Sequence, residues 1–185
     1  MIDVLICETG NGGDAIRLTS DLKNTSSFSN MVYLAWFGGN PGNPTLGNEI
    51  PTEERFDWWG NQLLFNNEVG FQFNSLLEYT LNTTSLNSSG RIIIEESAKK
   101  DLEFLSNFAN IDVEVSIISD DEVSILARLE EPGNIQDNEF EIIWNSTRKE
   151  LELNNNNICG CCSEQNIIPI EDKGLFNTQF NTQFN

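Results

Sequence analysis

A chain of 185 residues is long enough to bury a full core within one domain. Its formal charge of −19, from 10 Lys+Arg against 29 Asp+Glu, argues against gripping nucleic-acid phosphates and against docking on an anionic membrane surface. Histidine is absent, so any catalysis would have to run on carboxylates, thiols, lysine or tyrosine, and the commonest metal ligand is missing.

No stretch approaches the roughly 20 apolar residues of a membrane span. The opening Met1-Ile2-Asp3-Val4-Leu5-Ile6-Cys7-Glu8 lacks the basic region and small-residue cleavage site of a signal peptide. These features lead us to expect a protein kept in a cytosol, or assembled there into something larger, with Cys7, Cys159, Cys161 and Cys162 as reduced thiols. The Cys159-Gly160-Cys161-Cys162 cluster lacks the paired Cys-x-x-Cys spacing of zinc sites, and a flexible turn carrying thiols competes with a zinc-held adaptor. No metal or cofactor is expected.

In chain order, residues 2–6 alternate as a short strand ended by Gly10-Asn11-Gly12-Gly13, and Ile16 with Leu18 suits a second brief extended piece. Ser26 or Ser27 offers an N-cap for a helix whose apolar face is Phe28, Met31, Val32, Ala35 and Trp36, stopped by Gly38-Gly39. A Gly/Asn/Pro-rich loop follows, with no phosphate-binding spacing among its glycines. Residues 69–81 read as a helix from about Asn74, and the polar run 82–89 as a linker ending in caps. Ile94, Ala98, Leu102, Leu105 and Ala109 then track one face of a long helix, with Lys99, Lys100, Asp101 and Glu103 turned to water. Next the period drops to two. Ile111, Val113, Val115 and Ile117 form one strand, Val123, Ile125, Ala127 and Leu129 its hairpin partner, and Phe140, Ile142 and Trp144 a third. The fold class expected is α+β, helices packed on a small antiparallel three-stranded sheet. An N-terminal arm over 1–13 precedes a domain over 14–150, and an extended C-terminal arm covers 151–185.

The element the chain is built around is Arg55-Phe56-Asp57-Trp58-Trp59-Gly60-Asn61. Adjacent side chains point in different directions, so one indole can enter the core while the other meets a passing loop or a partner. Asp57 and Asn61 are candidate acceptors for an indole N–H, and Gly60 suits a sharp exit turn. In the last ten residues Phe176, Phe180 and Phe184 repeat every fourth position in a polar tail, a pattern that cannot fold alone but can dock on a neighbour.

Residues 14–145 together resemble a known family. Asp14-Ala15-Ile16-Arg17-Leu18, Leu34-Ala35-Trp36-Phe37, the double-tryptophan element, a long helix and a hairpin closing on Leu129-Glu130-Glu131-Pro132-Gly133 follow the order of Mu-type phage baseplate proteins. That family carries an Arg-x-Gly-Trp-Trp-Gly-Asp signature, and the chain is also similar, more remotely, to the sheath-initiating wedge protein of T-even phages. Here Asp57 stands in place of the glycine and Asn61 in place of the aspartate, and the 38–50 loop is Gly/Asn/Pro-rich where family members carry charges. The resemblance implies a virion protein of the tail baseplate, assembled in the host cytoplasm in several copies. Its partners would be wedge and hub proteins and the tail tube or sheath, with no nucleic acid, no membrane and no reaction to catalyse. The contact residues it points to are Arg55, Trp58, Trp59 and Gly60; outside the span it covers, the tail repeat separately offers Phe176, Phe180 and Phe184. The alternative is a lysozyme-like, carboxylate-driven cell-wall hydrolase, for which Glu130-Glu131 and Glu139 with Glu141 are the candidate acids.

Overall fold

The computed structural model describes residues 3–4, 6–8, 13–15, 21–22, 24–25, 28–50, 52, 54–65, 69–133 and 138–153. Four short strands come first: β1 (Asp3–Val4), β2 (Ile6–Glu8), β3 (Gly13–Ala15) and β4 (Asn24–Thr25), paired antiparallel as β1 with β4 and β2 with β3. Within the expected N-terminal arm, residues 3–4 and 6–8 therefore pair with strands that follow them. The side-chain amide of Asn30 donates to the Val4 carbonyl and ties this ribbon to the first helix. Ile16 and Leu18, expected as an extended piece, lie outside the described residues.

Helix α1 (Ser29–Phe37) buries Val32, Ala35 and Trp36 on the face expected from their spacing. No side chain caps its start, and the expected caps Ser26 and Ser27 lie outside the described residues. Helix α2 (Trp59–Phe65) grows out of the double-tryptophan element. A 3-10 turn (Val69–Phe71) follows, and helix α3 (Leu77–Thr83) begins three residues later than the sequence pattern expects. The delay has a cause. The Ser75 hydroxyl donates to the Trp36 carbonyl and its backbone N–H to the Gly39 carbonyl, which ties Ser75 to the end of α1.

Helix α4 (Ser88–Asp101) starts at Asn87, whose side chain accepts the Gly90 N–H at 2.9 Å. The single long helix expected here divides at Leu102 into α4 and a 3-10 turn (Glu103–Asn107), yet Ile94, Ala98, Leu102, Leu105 and Ala109 are all buried as their period requires. Asp101 departs from expectation. Its carboxylate turns inward and accepts the backbone N–H groups of Leu76 and Leu77, supplying the start of α3 with a cap from 24 residues away.

The sheet has four strands where three were expected: β5 (Asn110–Ile117), β6 (Glu122–Glu130), β7 (Asn138–Asn145) and β8 (Glu150–Leu153), an antiparallel meander in that order. The added strand falls at residues read as the start of the C-terminal arm. It forms because the Asn145 side chain accepts the backbone N–H groups of Thr147 and Arg148, while Lys149 adopts a positive φ of 56° to close the turn. Leu151 then pairs with Trp144 on the inner face.

Register sets the core. Val113, Ala127 and Phe140 form one inward row, and Val115, Ile125 and Ile142 the next. The helices cover this face, with Trp36 edge-on to Phe140 at 5.7 Å and its indole N–H bonded to the Ala98 carbonyl at 3.1 Å. On the outer face Arg128 lies between Glu114 at 3.1 Å, Glu139 at 3.2 Å and Asp112 at 3.5 Å. An α+β architecture, with helices on one antiparallel sheet, is what the alternation and helical periods require.

Candidate functional site

Three passes of the chain meet beyond the end of α1. The Trp58 N–H donates to the Gly38 carbonyl at 2.9 Å, Gly39 and Asp57 form an isolated antiparallel bridge, and the Asn40 side chain donates to the Ser75 carbonyl at 3.1 Å. Gly39 has a φ of +81°, and a Cβ there would lie 2.3 Å from the Phe56 carbonyl oxygen, so both conformation and space call for glycine. The loop between these passes is ordered by side chains acting on the backbone. Asn40 accepts the N–H groups of Gly42 and Asn43. Glu49 gathers those of Thr45, Leu46 and Gly47. Burial works against the Glu49 charge, but the Leu46 and Thr45 backbone N–H groups and the Thr45 hydroxyl outweigh it and hold the carboxyl at about 2.

On this platform the two indoles separate as adjacent side chains must. Trp58 is half-buried and meets Phe73 edge-on at 5.4 Å, and Phe73 in turn packs on Phe104 at 5.3 Å. Trp59 lies 5.4 Å from Trp58 and is 57% exposed.

Gly60 does not make the expected exit turn. It sits buried in the first turn of α2, where a Cβ would approach the Trp58 ring to 2.3 Å. Its role is to leave room for an indole folded back over the helix. Asp57 and Asn61 likewise do not accept an indole N–H. The fully buried Asn61 amide donates to Asp57 at 2.7 Å and to the Phe73 carbonyl at 2.8 Å, and its oxygen accepts the Phe73 N–H at 2.9 Å. Asn61 therefore clamps α2 to Phe73 in the segment before α3. Asp57 and Asn61 thus face each other. A carboxylate at 57 needs a donor at 61, and an aspartate there would set two acids in hydrogen-bond contact.

The result is a helix with inverted sides. Of its seven residues, α2 buries Gly60 and Asn61 and turns Trp59, Leu63 and Leu64 outward, the two leucines 72% and 60% exposed. Sequence reasoning selected Trp59, gave Asn61 a different partner and missed Leu63 and Leu64. The signal available was that Trp59 and Leu63 stand at i and i+4.

Arg55 is partly exposed at the entry to this element and forms no ion pair among the described residues. Phe176, Phe180, Phe184 and the cysteines 159, 161 and 162 lie outside the described residues. Beside the Phe73–Phe104 stack runs an open groove of about 480 Å³, bordered by Gln72, Lys100 and Asp101. Burial pushes the Asp101 carboxyl up to about 7 against the pull of the Leu77 and Leu76 N–H groups. Burial, with the Glu49 charge added, lifts Glu78 to about 7 as well, and its Oε2 is buried without a hydrogen bond.

Of the acids named for a hydrolase, Glu130, Glu139 and Glu141 lie on strands β6 and β7. Glu139 pairs with Arg128 and Glu141 accepts the Ser124 hydroxyl at 2.7 Å, both on the outward face of the sheet, while Glu130 ends β6 in solvent. Among the described residues no group of three or more His, Cys, Asp or Glu is placed to hold a metal ion, and no helix is long and apolar enough to cross a membrane. Comparison with family models, curated proteins and solved structures finds no match for this chain.

Proposed function

We propose that this protein is a structural component of a phage tail baseplate, of the wedge or sheath-initiator kind, joining the wedge scaffold to the hub, tube or first sheath ring. The observation that carries the reading is the inverted helix. An element that buries its asparagine and exposes a tryptophan and two leucines is explained by a surface that something else covers. A second feature supports the same role. β5 is an eight-residue edge strand with no strand against its outer rim among the described residues, the kind of edge that accepts strand addition. The order of motifs that resembles the Mu-type baseplate proteins supplies the assembly in which such surfaces are used. On this reading the chain catalyses nothing and is held to its neighbours by shape and backbone pairing.

The test separates folding from docking. Trp59→Ala removes an exposed ring and leaves the Trp58–Phe73 contact intact, so the variant remains folded by circular dichroism but is lost from assembled tails. Wild-type incorporation of Trp59→Ala together with Leu63→Glu would overturn the proposal.

A further inference from the structure

We propose that the open rim of β5 takes an extended partner segment in which cations alternate with apolar side chains. The inference rests on the reading above that this edge accepts strand addition, and it names the chemistry of the strand that is added.

Register fixes the rim. The Ile118 N–H donates to the Glu122 carbonyl, and Ile117 lies opposite Val123. Ladder bonds in an antiparallel pair fall on alternate residues, so Asn110, Asp112, Glu114 and Ser116 make the bonds to β6. The backbone groups of Ile111, Val113, Val115 and Ile117 therefore point away from β6, and the buried side chains of Val113 and Val115 hold them in place. All eight residues of β5 pair in one unbroken register, without the proline, lysine or bulge that commonly guards an edge. Among the described residues the Arg91 guanidinium approaches this rim, 3.5 Å from the Val115 carbonyl, while paired with Glu95 at 2.8 Å. A bond that long yields readily to a backbone N–H.

The acids choose the partner. Asp112 and Glu114 stand on the outward face of β5 with side chains 69% and 57% exposed. From β6 a single guanidinium, that of Arg128, answers both of them and Glu139 as well. A strand laid on the open rim brings its outward side chains to about 4.5–5.5 Å from those of Asp112 and Glu114, the relation Arg128 already has to Asp112 from the other side. Lysine or arginine at those positions balances the charge, and an acid is repelled. On the helix side β5 presents Ile111, Val113, Val115 and Ile117, so the intervening positions of the partner are apolar.

The same charges exclude two other occupants. A second copy paired antiparallel about Val113 would set Asp112 opposite Glu114 on both sides of the two-fold. The chain's own segment 154–185 holds Lys173 as its one cation, directly after Glu171 and Asp172.

The experiment titrates the isotope-labelled full chain with blocked peptides and follows the amide resonances of β5 by NMR. The probes are (Lys-Val)3, (Thr-Val)3, (Glu-Val)3 and a (Lys-Val)3 N-methylated at every residue, which keeps its charge and loses its N–H donors. At about 0.1 M salt (Lys-Val)3 should bind roughly tenfold more tightly than (Thr-Val)3, the worth of two cross-strand ion pairs. (Glu-Val)3 should leave the β5 resonances unmoved, and N-methylation should cost (Lys-Val)3 at least about tenfold. Asp112→Asn with Glu114→Gln should bring (Lys-Val)3 down to the affinity of (Thr-Val)3. Equal binding of the lysine and threonine peptides overturns the charge selection, as does a lysine preference that survives the double variant. In either case strand addition stands if N-methylation still blocks binding. If the N-methylated peptide binds as well as its parent, or if no peptide moves the β5 resonances, the edge does not accept a strand and both readings of it fall.

Discussion

Replacing Gly60 by alanine sets two rules against each other. In an ordinary exposed helix the change stabilises by roughly 0.5–1 kcal/mol, since alanine gives up less backbone entropy. Here the added Cβ would lie 2.3 Å from one carbon of the Trp58 indole and 2.5 Å from two others, so the ring must move out by about 1 Å or more. That displacement breaks the edge-on contact with Phe73 at 5.4 Å, of a kind contributing about 0.5–1.5 kcal/mol. It also adds overpacking strain of about 1–3 kcal/mol. The expected net effect is a loss of about 1–3 kcal/mol, or a fall of roughly 3–10 °C in Tm for a domain of this length. Denaturant unfolding measures the energy, and near-ultraviolet circular dichroism reports whether the Trp58–Trp59 arrangement has changed. In a Trp58→Ala background the same substitution should become neutral or stabilising, because the obstructing ring is gone. A Gly60→Ala protein more stable than wild type, with its aromatic dichroism unchanged, would refute the placement of Trp58 over the helix.

Three further outcomes are expected. Asn61→Asp removes two amide donors and sets a second carboxylate against Asp57, costing about 2–4 kcal/mol; Asp57→Gly added to it should restore part of the loss, and a thermodynamic cycle of the four proteins reads the coupling. Glu78, raised from 4.5 to about 7, favours its protonated form in the fold, so its contribution is fully present below pH 4.5 and is lost as pH rises through 7. Glu78→Gln should therefore be stabilising by about 2–3 kcal/mol at pH 8 and close to neutral at pH 4, as measured by urea unfolding at both values. Glu49 has the opposite sign: lowered to about 2, it contributes stability above pH 4.5 that is lost as pH falls toward 2. Since Glu49 is largely in contact with solvent, Glu49→Gln should cost only about 1 kcal/mol near neutrality, and acid unfolding should show a shallower slope over that window.

What was legible in the chain was whatever repeats. The buried faces of α1 and α4 and the inward rows of β5, β6 and β7 follow from period alone, because one side of each element meets a large apolar partner. Strand β8 was missed since Glu150-Leu151-Glu152-Leu153 is short and its turn depends on the Asn145 side chain, which hydrophobic pattern does not record. The inward turn of Asp101 was also hidden. Its partners, the Leu76 and Leu77 N–H groups, are distant in sequence, and a charged residue at the end of an amphipathic helix reads as solvated. At the site the tryptophan pair was visible but the helix it begins was not. Seven residues with apolar side chains turned outward violate the rule by which amphipathic helices are recognised. The roles of Gly60 and Asn61 depend on what lies across from them, Trp58 and Phe73, and no spacing along the chain encodes that.

The violation itself is the best guide to what α2 is for. Seven residues are too few to hold a helix by backbone bonding alone, so the element persists because Asn61 and the folded-back Trp58 fix it to the domain. Those contacts hold the outward side chains in a set geometry before any partner arrives, which lowers the ordering cost of association. The apolar surface that Trp59, Leu63 and Leu64 offer is small for a specific interface, and lost rigid-body freedom, side-chain ordering and imperfectly matched polar groups all oppose association. One such patch therefore makes a reversible contact and does not by itself lock a joint. The β5 edge lies on a different element and would bind by backbone pairing instead of apolar burial. Under the proposed function, two modest contacts of unlike kind on one domain, repeated around a ring, would combine through effective concentration into a durable assembly. Each remains weak enough alone to keep a free, highly acidic chain from premature aggregation.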